Sequence, residues 1–123
     1  MKFLGASLLT DDVARLRAFY TKVLCCQTSG DDIHTELLVE GGGLVLYSRE
    51  ASRRDMGFSY LPNAGAGYVA LSFRVEDVDA EYERLLTTDV DFVTRPRTYP
   101  WGARSFHFRD PDGNLITMVR PPA

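Results

Sequence analysis

Two stretches of this chain, 65 positions apart, carry the same pattern. Thr10-Asp11-Asp12-Val13 follows the apolar stretch Phe3 to Leu9, and Val75-Glu76-Asp77-Val78 follows the apolar stretch Tyr68 to Val75. Each acidic pair then opens a run of helical periodicity. Val13, Leu16, Tyr20, Val23 and Leu24 form one apolar stripe, and Val78, Tyr82, Leu85 and Leu86 form its counterpart. Asp11 or Asp12 is the expected N-cap of the first helix and Asp77 that of the second. A repeat of just over half the chain restricts the fold to two similar strand–helix–strands modules. We place them at about residues 1–50 and 66–123, joined by 51–65, within a single 123-residue domain.

The strand pattern adds detail. Val69, Leu71, Phe73 and Val75 alternate with Tyr68, Ala70, Ser72 and Arg74, and Leu4, Ala6 and Leu8 alternate with Phe3, Gly5, Ser7 and Leu9. The first set of each pair suits packing under a helix. The second is small and polar at equivalent places, Gly5 with Ala70 and Ser7 with Ser72, which leaves room on that face for a bound molecule. Further strands are expected near 33–39, 43–48, 91–95, 104–109 and 115–119. Glu40-Gly41-Gly42-Gly43 reads as a hairpin loop and Asp110-Pro111-Asp112-Gly113 as a type I turn. Arg49 to Gly67 lacks period and reads as a link that doubles as a lid.

Composition excludes several classes. Apolar residues make up 45% and charged residues 25%, enough apolar content for a core. A net charge of −3 leaves no basic surplus to neutralise phosphates, so no nucleic-acid partner is expected. No apolar run reaches the ~18–20 residues of a membrane span, and Met1 to Leu9 lacks signal-peptide character, so the expectation is a cytoplasmic protein with no membrane partner. Two histidines, His34 and His107, and two adjacent cysteines, Cys25 and Cys26, are the whole supply of soft ligands. Neighbouring cysteines make neither a disulfide framework nor a CxxC knuckle.

The run Pro100-Trp101-Gly102-Ala103-Arg104-Ser105-Phe106-His107-Phe108-Arg109-Asp110-Pro111-Asp112-Gly113-Asn114-Leu115-Ile116 resembles the usual ending of the glyoxalase/bleomycin resistance/dioxygenase (vicinal oxygen chelate) superfamily. Asp12-Val13 through Phe19-Tyr20 to Val23-Leu24 resembles its first helix, and Phe73-Arg74-Val75-Glu76-Asp77-Val78-Asp79-Ala80 the start of its second half. The resemblance implies an α+β fold of two βαβββ modules forming an open curved mixed sheet around a cavity, and a homodimer. It also implies where a metal would be held: in the first strand of each half, seven residues before the capping Asp, in the last strand, and in the strand after the first hairpin. Those places carry Gly5, Ala70, Thr117, and Val45 or Tyr47, none a good ligand. A rebuilt divalent site would have to draw on His34, Glu36 and His107, so the expectation is no metal and no other cofactor.

The candidate ligand-binding residues are Tyr47, Arg74, Tyr99, Trp101, His107 and Thr117. Hairpin register puts His107 opposite Thr117, facing the cavity with Ser105 beside it. There it serves as a hydrogen-bond donor and is the one weak candidate for a catalytic base, the alternative being a structural histidine. Tyr99 and Trp101 suit stacking on a planar ligand or packing at a rim, and Tyr47 is a similar sheet-face phenol. Arg74 is placed to bind an anion, whereas Arg104 is out of phase and points away. Phe58 and Tyr60 stand on the linking loop. Neither cysteine has the surroundings of a catalytic thiolate, and no nucleophile elbow or phosphate loop is present. The resulting expectation is a metal-independent binder of a drug or metabolite, of the bleomycin-resistance type. The alternative is a lyase, isomerase or dioxygenase with an atypical metal site or metal-free acid–base chemistry through His107.

Overall fold

The computed structural model describes residues 1–62 and 69–123. Tyr68, placed above in a strand, lies outside them. The chain divides into two units, Met1–Gly65 and Ala66–Ala123.

The first unit runs β1 (Gly5–Thr10), α1 (Val13–Leu24), β2 (Gln27–Gly30), β3 (His34–Leu38), β4 (Gly43–Ser48) and α2 (Arg49–Met56). Its open mixed sheet has the order β1-β4-β3-β2, with β1 parallel to β4 and the remaining pairs antiparallel. The second unit repeats this with β5 (Ala70–Arg74), α3 (Val78–Leu86), β6 (Asp91–Thr98), β7 (Arg104–Arg109) and β8 (Leu115–Arg120) in the order β5-β8-β7-β6. The repeat read from the acidic pairs is thus a repeat of topology.

The helices begin where the carboxylates allow. Asp12 accepts a hydrogen bond from the Arg15 amide at 3.0 Å, and Asp77 accepts one from the Ala80 amide at 3.0 Å. Cys25 ends α1 in the left-handed region at φ 52°. The α1 stripe of Val13, Leu16, Tyr20 and Val23 is buried and packs on β3 and β4 with Leu37, Leu44 and Leu46. In the second unit α3 buries Val78 and Leu85 over Phe106, Phe108, Ile116 and Met118. Tyr82 meets Phe92 and Phe106 at ring-centroid distances of 4.9 and 5.3 Å.

Three expectations need correction. First, Arg49 to Gly67 is not all link, because its start is α2. Ser48 caps it through the Ala51 amide, Glu50 sits in its first turn, and Gly57 ends it at φ 70°. Only Ala51 and Ser52 are buried, so no apolar stripe announced it. Second, β2 adds a strand that the apolar pattern lacked. Third, Leu4 lies before β1 and is 84% exposed, so Leu8 and Thr10 make the buried face of that strand. Among the described residues no helix is long and apolar enough to cross a membrane.

Candidate functional site

Alternation leaves each sheet one face away from its helix. On the second sheet that face is built in register rows. Ser72 pairs with Thr117, Thr117 with His107 and His107 with Thr94. The neighbouring row is Arg74, Val119, Ser105 and Arg97. His107 therefore stands opposite Thr117, as the hairpin register predicted.

His107 is held on two sides by one hydroxyl. Its backbone N–H donates to Thr94 Oγ1 at 3.0 Å, and its ring Nδ1 lies 2.8 Å from the same oxygen. With one lone pair engaged by the amide, Thr94 Oγ1 keeps a proton and a second lone pair, so it either donates to Nδ1 or accepts from Nδ1–H. In either neutral tautomer Nε2 remains available to another partner, as donor or acceptor. Partial burial of the ring pushes its pKa below the ordinary histidine value, which favours the neutral form.

Tyr99 and Trp101 belong to the turn between β6 and β7, which is closed by the Tyr99 amide on the Ala103 carbonyl at 2.8 Å and by the Gly102 amide on the Tyr99 carbonyl at 2.9 Å. Their rings stack at 4.7 Å and 14°. The Arg97 guanidinium lies 4.8 Å from the Tyr99 centroid. Arg97, Tyr99 and Trp101 are thus one stack, and Trp101 is 66% exposed. Arg104 turns to the other face, where it holds Asp79 of α3 at 2.7 and 2.9 Å and Thr98 at 3.0 Å. That contact keeps the Asp79 carboxyl below its usual range.

Of the six nominated residues, the second unit gathers Arg74, Tyr99, Trp101, His107 and Thr117. Tyr47 belongs to the first unit, on the open face of its sheet. It makes edge contacts with His34 at 5.5 Å and Phe58 at 6.4 Å between centroids. Tyr60 is tied to α2, with its hydroxyl 2.5 Å from Ser52 Oγ and its ring flanked by Arg49 and Arg53 at 5.3 and 4.9 Å. It packs as an anchor of the loop. Sequence reasoning missed Arg97 and Thr94. Register shifts between Phe92 and Thr94 and between Thr94 and Arg97 break the alternation that would have placed them.

A depression of about 500 Å³ lies elsewhere, between α1 and the β2–β3 turn, lined by Arg17, Gly30, Asp31, Asp32 and Ile33. Its charges already serve one another. Arg17 binds Asp32 at 2.5 Å and the Asp31 carbonyl at 3.2 Å, and the Asp31 carboxylate accepts the His34 and Ile33 amides.

The donor chemistry at the positions named for a metal does not fit one. Gly5 has φ +152°, and a Cβ there would lie 2.8 Å from Gly43 Cα and closer still to the Gly43 carbonyl oxygen. A Cβ on Gly43 would in turn lie 2.6 Å from the Leu4 carbonyl. Two backbones meet where a ligand side chain would start. Ala70 has no donor and Thr117 offers a neutral hydroxyl, while at the fourth position Val45 offers nothing and Tyr47 only a phenol. Among the described residues no three His, Cys, Asp or Glu side chains are grouped to hold a metal ion.

The fold and its repeated register find their counterparts among known proteins. The family model of the Glyoxalase/Bleomycin resistance protein/Dioxygenase superfamily matches residues 3–118, and the chain belongs to that superfamily. It is 32% identical over 126 aligned positions to the uncharacterized protein YraH of Bacillus subtilis (strain 168), covering 98% of each chain. It is similar in structure to a glyoxalase/bleomycin resistance protein/dioxygenase from Nocardioides, with TM-score 0.83 and 24% identity over 99% of this chain and 84% of the other. A lactoylglutathione lyase from Agrobacterium tumefaciens shares the fold at TM-score 0.75 and 21% identity, over 97% and 92% of the two chains.

Proposed function

We propose that this protein is a metal-independent small-molecule binding protein of the bleomycin-resistance type, acting as a cytoplasmic homodimer on a drug or metabolite. One observation carries the reading. The first-strand position that would hold a metal ligand is closed by the Gly5–Gly43 backbone approach, and Ala70 and Thr117 supply no replacement. The open face of the second sheet offers what a binder needs instead, namely hydroxyls, a neutral imidazole and an exposed aromatic stack. Exposed Phe3, Leu4 and Leu61, each more than 80% accessible, support a second copy as partner.

A thermal-shift screen over drugs, aromatic acids and thiol conjugates tests this reading. A true ligand at 100-fold its dissociation constant stabilises the fold by about 2.7 kcal/mol, and the shift survives excess EDTA. A shift that EDTA abolishes contradicts the proposal. Light scattering should give twice the chain mass.

The Thr94–His107 pair supports a second reading, metal-free acid–base chemistry, because it fixes the position of the imidazole and leaves Nε2 available. Under that reading His107→Ala abolishes turnover of a ligand found in the screen and leaves its binding within a few-fold. Ligand recovered unchanged after prolonged incubation with the wild-type protein excludes it.

A further inference from the structure

We infer that the open face of the second sheet takes a planar, negatively charged ligand, an aromatic carboxylate or a comparable anion, held between Arg74 and Arg97 with its ring on Trp101. The inference rests on the reading that this face is the ligand site, and it adds the charge and shape of the occupant.

Arg74 and Arg97 end the same register row, on the two outer strands of the sheet. Three strand spacings of ~4.8 Å separate them, roughly 14 Å between Cα atoms. Both are exposed, and among the described residues neither has an acidic side chain within ion-pair distance. In contrast, Arg104, on the opposite face, is fully engaged by Asp79. The chain carries a net charge of −3, yet its acids do not come to these two guanidiniums. The one acid in register on this face, Asp91, sits two rows away across from Arg109. The positive charge at the Arg74–Arg97 end is therefore uncompensated.

Between the two arginines the next row presents the Thr117 hydroxyl and the half-buried His107 ring, Ser105 in the same row being buried, and among the described residues these two rows hold no carboxylate. Anions are held by such a mixture of guanidinium and neutral hydrogen bonds. The stack fixes the remaining dimension. Arg97 is ordered over Tyr99, Tyr99 lies against Trp101, and the exposed indole offers a planar surface beside the anchored charge. A ligand with an anionic group and an aromatic ring extends that stack and neutralises its charge at once. A cationic drug meets repulsion at both ends of the row.

Three compounds of one ring and different charge test this: benzoate, benzamide and benzylamine. Each is titrated into the isotopically labelled full chain while NMR follows the indole N–H of Trp101, the only tryptophan, and the amides of Arg74, Ser105 and Thr117. Benzoate is expected to shift these signals saturably, about tenfold more tightly than the other two, a difference of about 1.4 kcal/mol. Arg74→Gln and Arg97→Gln, both at exposed positions, should each weaken benzoate about fivefold and leave benzamide unchanged. Benzamide or benzylamine binding here as tightly as benzoate overturns the charge assignment and leaves the ligand-face reading standing. If none of the three moves these signals, the face itself is wrong and both fall.

Discussion

At the scale of single residues, Gly5 and His107 bear most directly on the proposed function. A side chain at Gly5 meets the Gly43 backbone, and φ +152° is a conformation L-residues rarely adopt. Gly5→Ala should therefore cost about 1–3 kcal/mol in urea unfolding, and Gly5→His should add no nickel or zinc binding in calorimetry. An unchanged midpoint for Gly5→Ala would show that this backbone is not held as described. For His107, burial lowers the folded-state pKa. The unfolded chain then binds the proton more readily, so folded stability is complete above pH ~6.5 and declines as pH falls from there toward the folded midpoint. An NMR titration should place the His107 midpoint below 6.5, and a value at or above it contradicts the burial argument. The sequence put His107 opposite Thr117 because a short turn fixes register. It could not show Thr94, since a bulge obeys no period.

Among the elements, those that were legible carry apolar stripes and those that were hidden do not. Both capped helices stood out through Asp12, Asp77 and their buried stripes. The α2 helix, with residues REASRRDM, buries only Ala51 and Ser52, and the edge strand β2 has no apolar alternation. Their places are set by capping and by pairing with β3, neither of which shows in hydropathy. The two caps are equivalent, so Asp12→Ala and Asp77→Ala should each lower stability by about 1 kcal/mol in chemical denaturation. Phe106→Ala, at the centre of the second unit's aromatic cluster, should cost about 3–5 kcal/mol. Arg104→Ala removes one side of a partly exposed pair and should leave the unfolding midpoint close to that of the wild type. A large drop in that midpoint would mean the Asp79 contact is more deeply shielded than its exposure indicates.

For the whole molecule, the repeat of strand order in the two units was legible from one acidic motif and its offset, because both helices must start where a carboxylate meets a free amide. Membership of the superfamily follows from the match over residues 3–118, but a shared scaffold does not transmit chemistry. What distinguishes this chain is what stands at the ligand positions: Gly5, Ala70 and Thr117. The proposed function requires that the fold work without a metal, with binding left to hydroxyls, an imidazole and arginines. Elemental analysis of the untagged protein tests it most directly, with the protein purified without chelator from cells supplied with zinc, nickel, iron and manganese. Our account predicts every one of these metals well below one equivalent per chain. A single equivalent of any of them, retained through gel filtration, would contradict it.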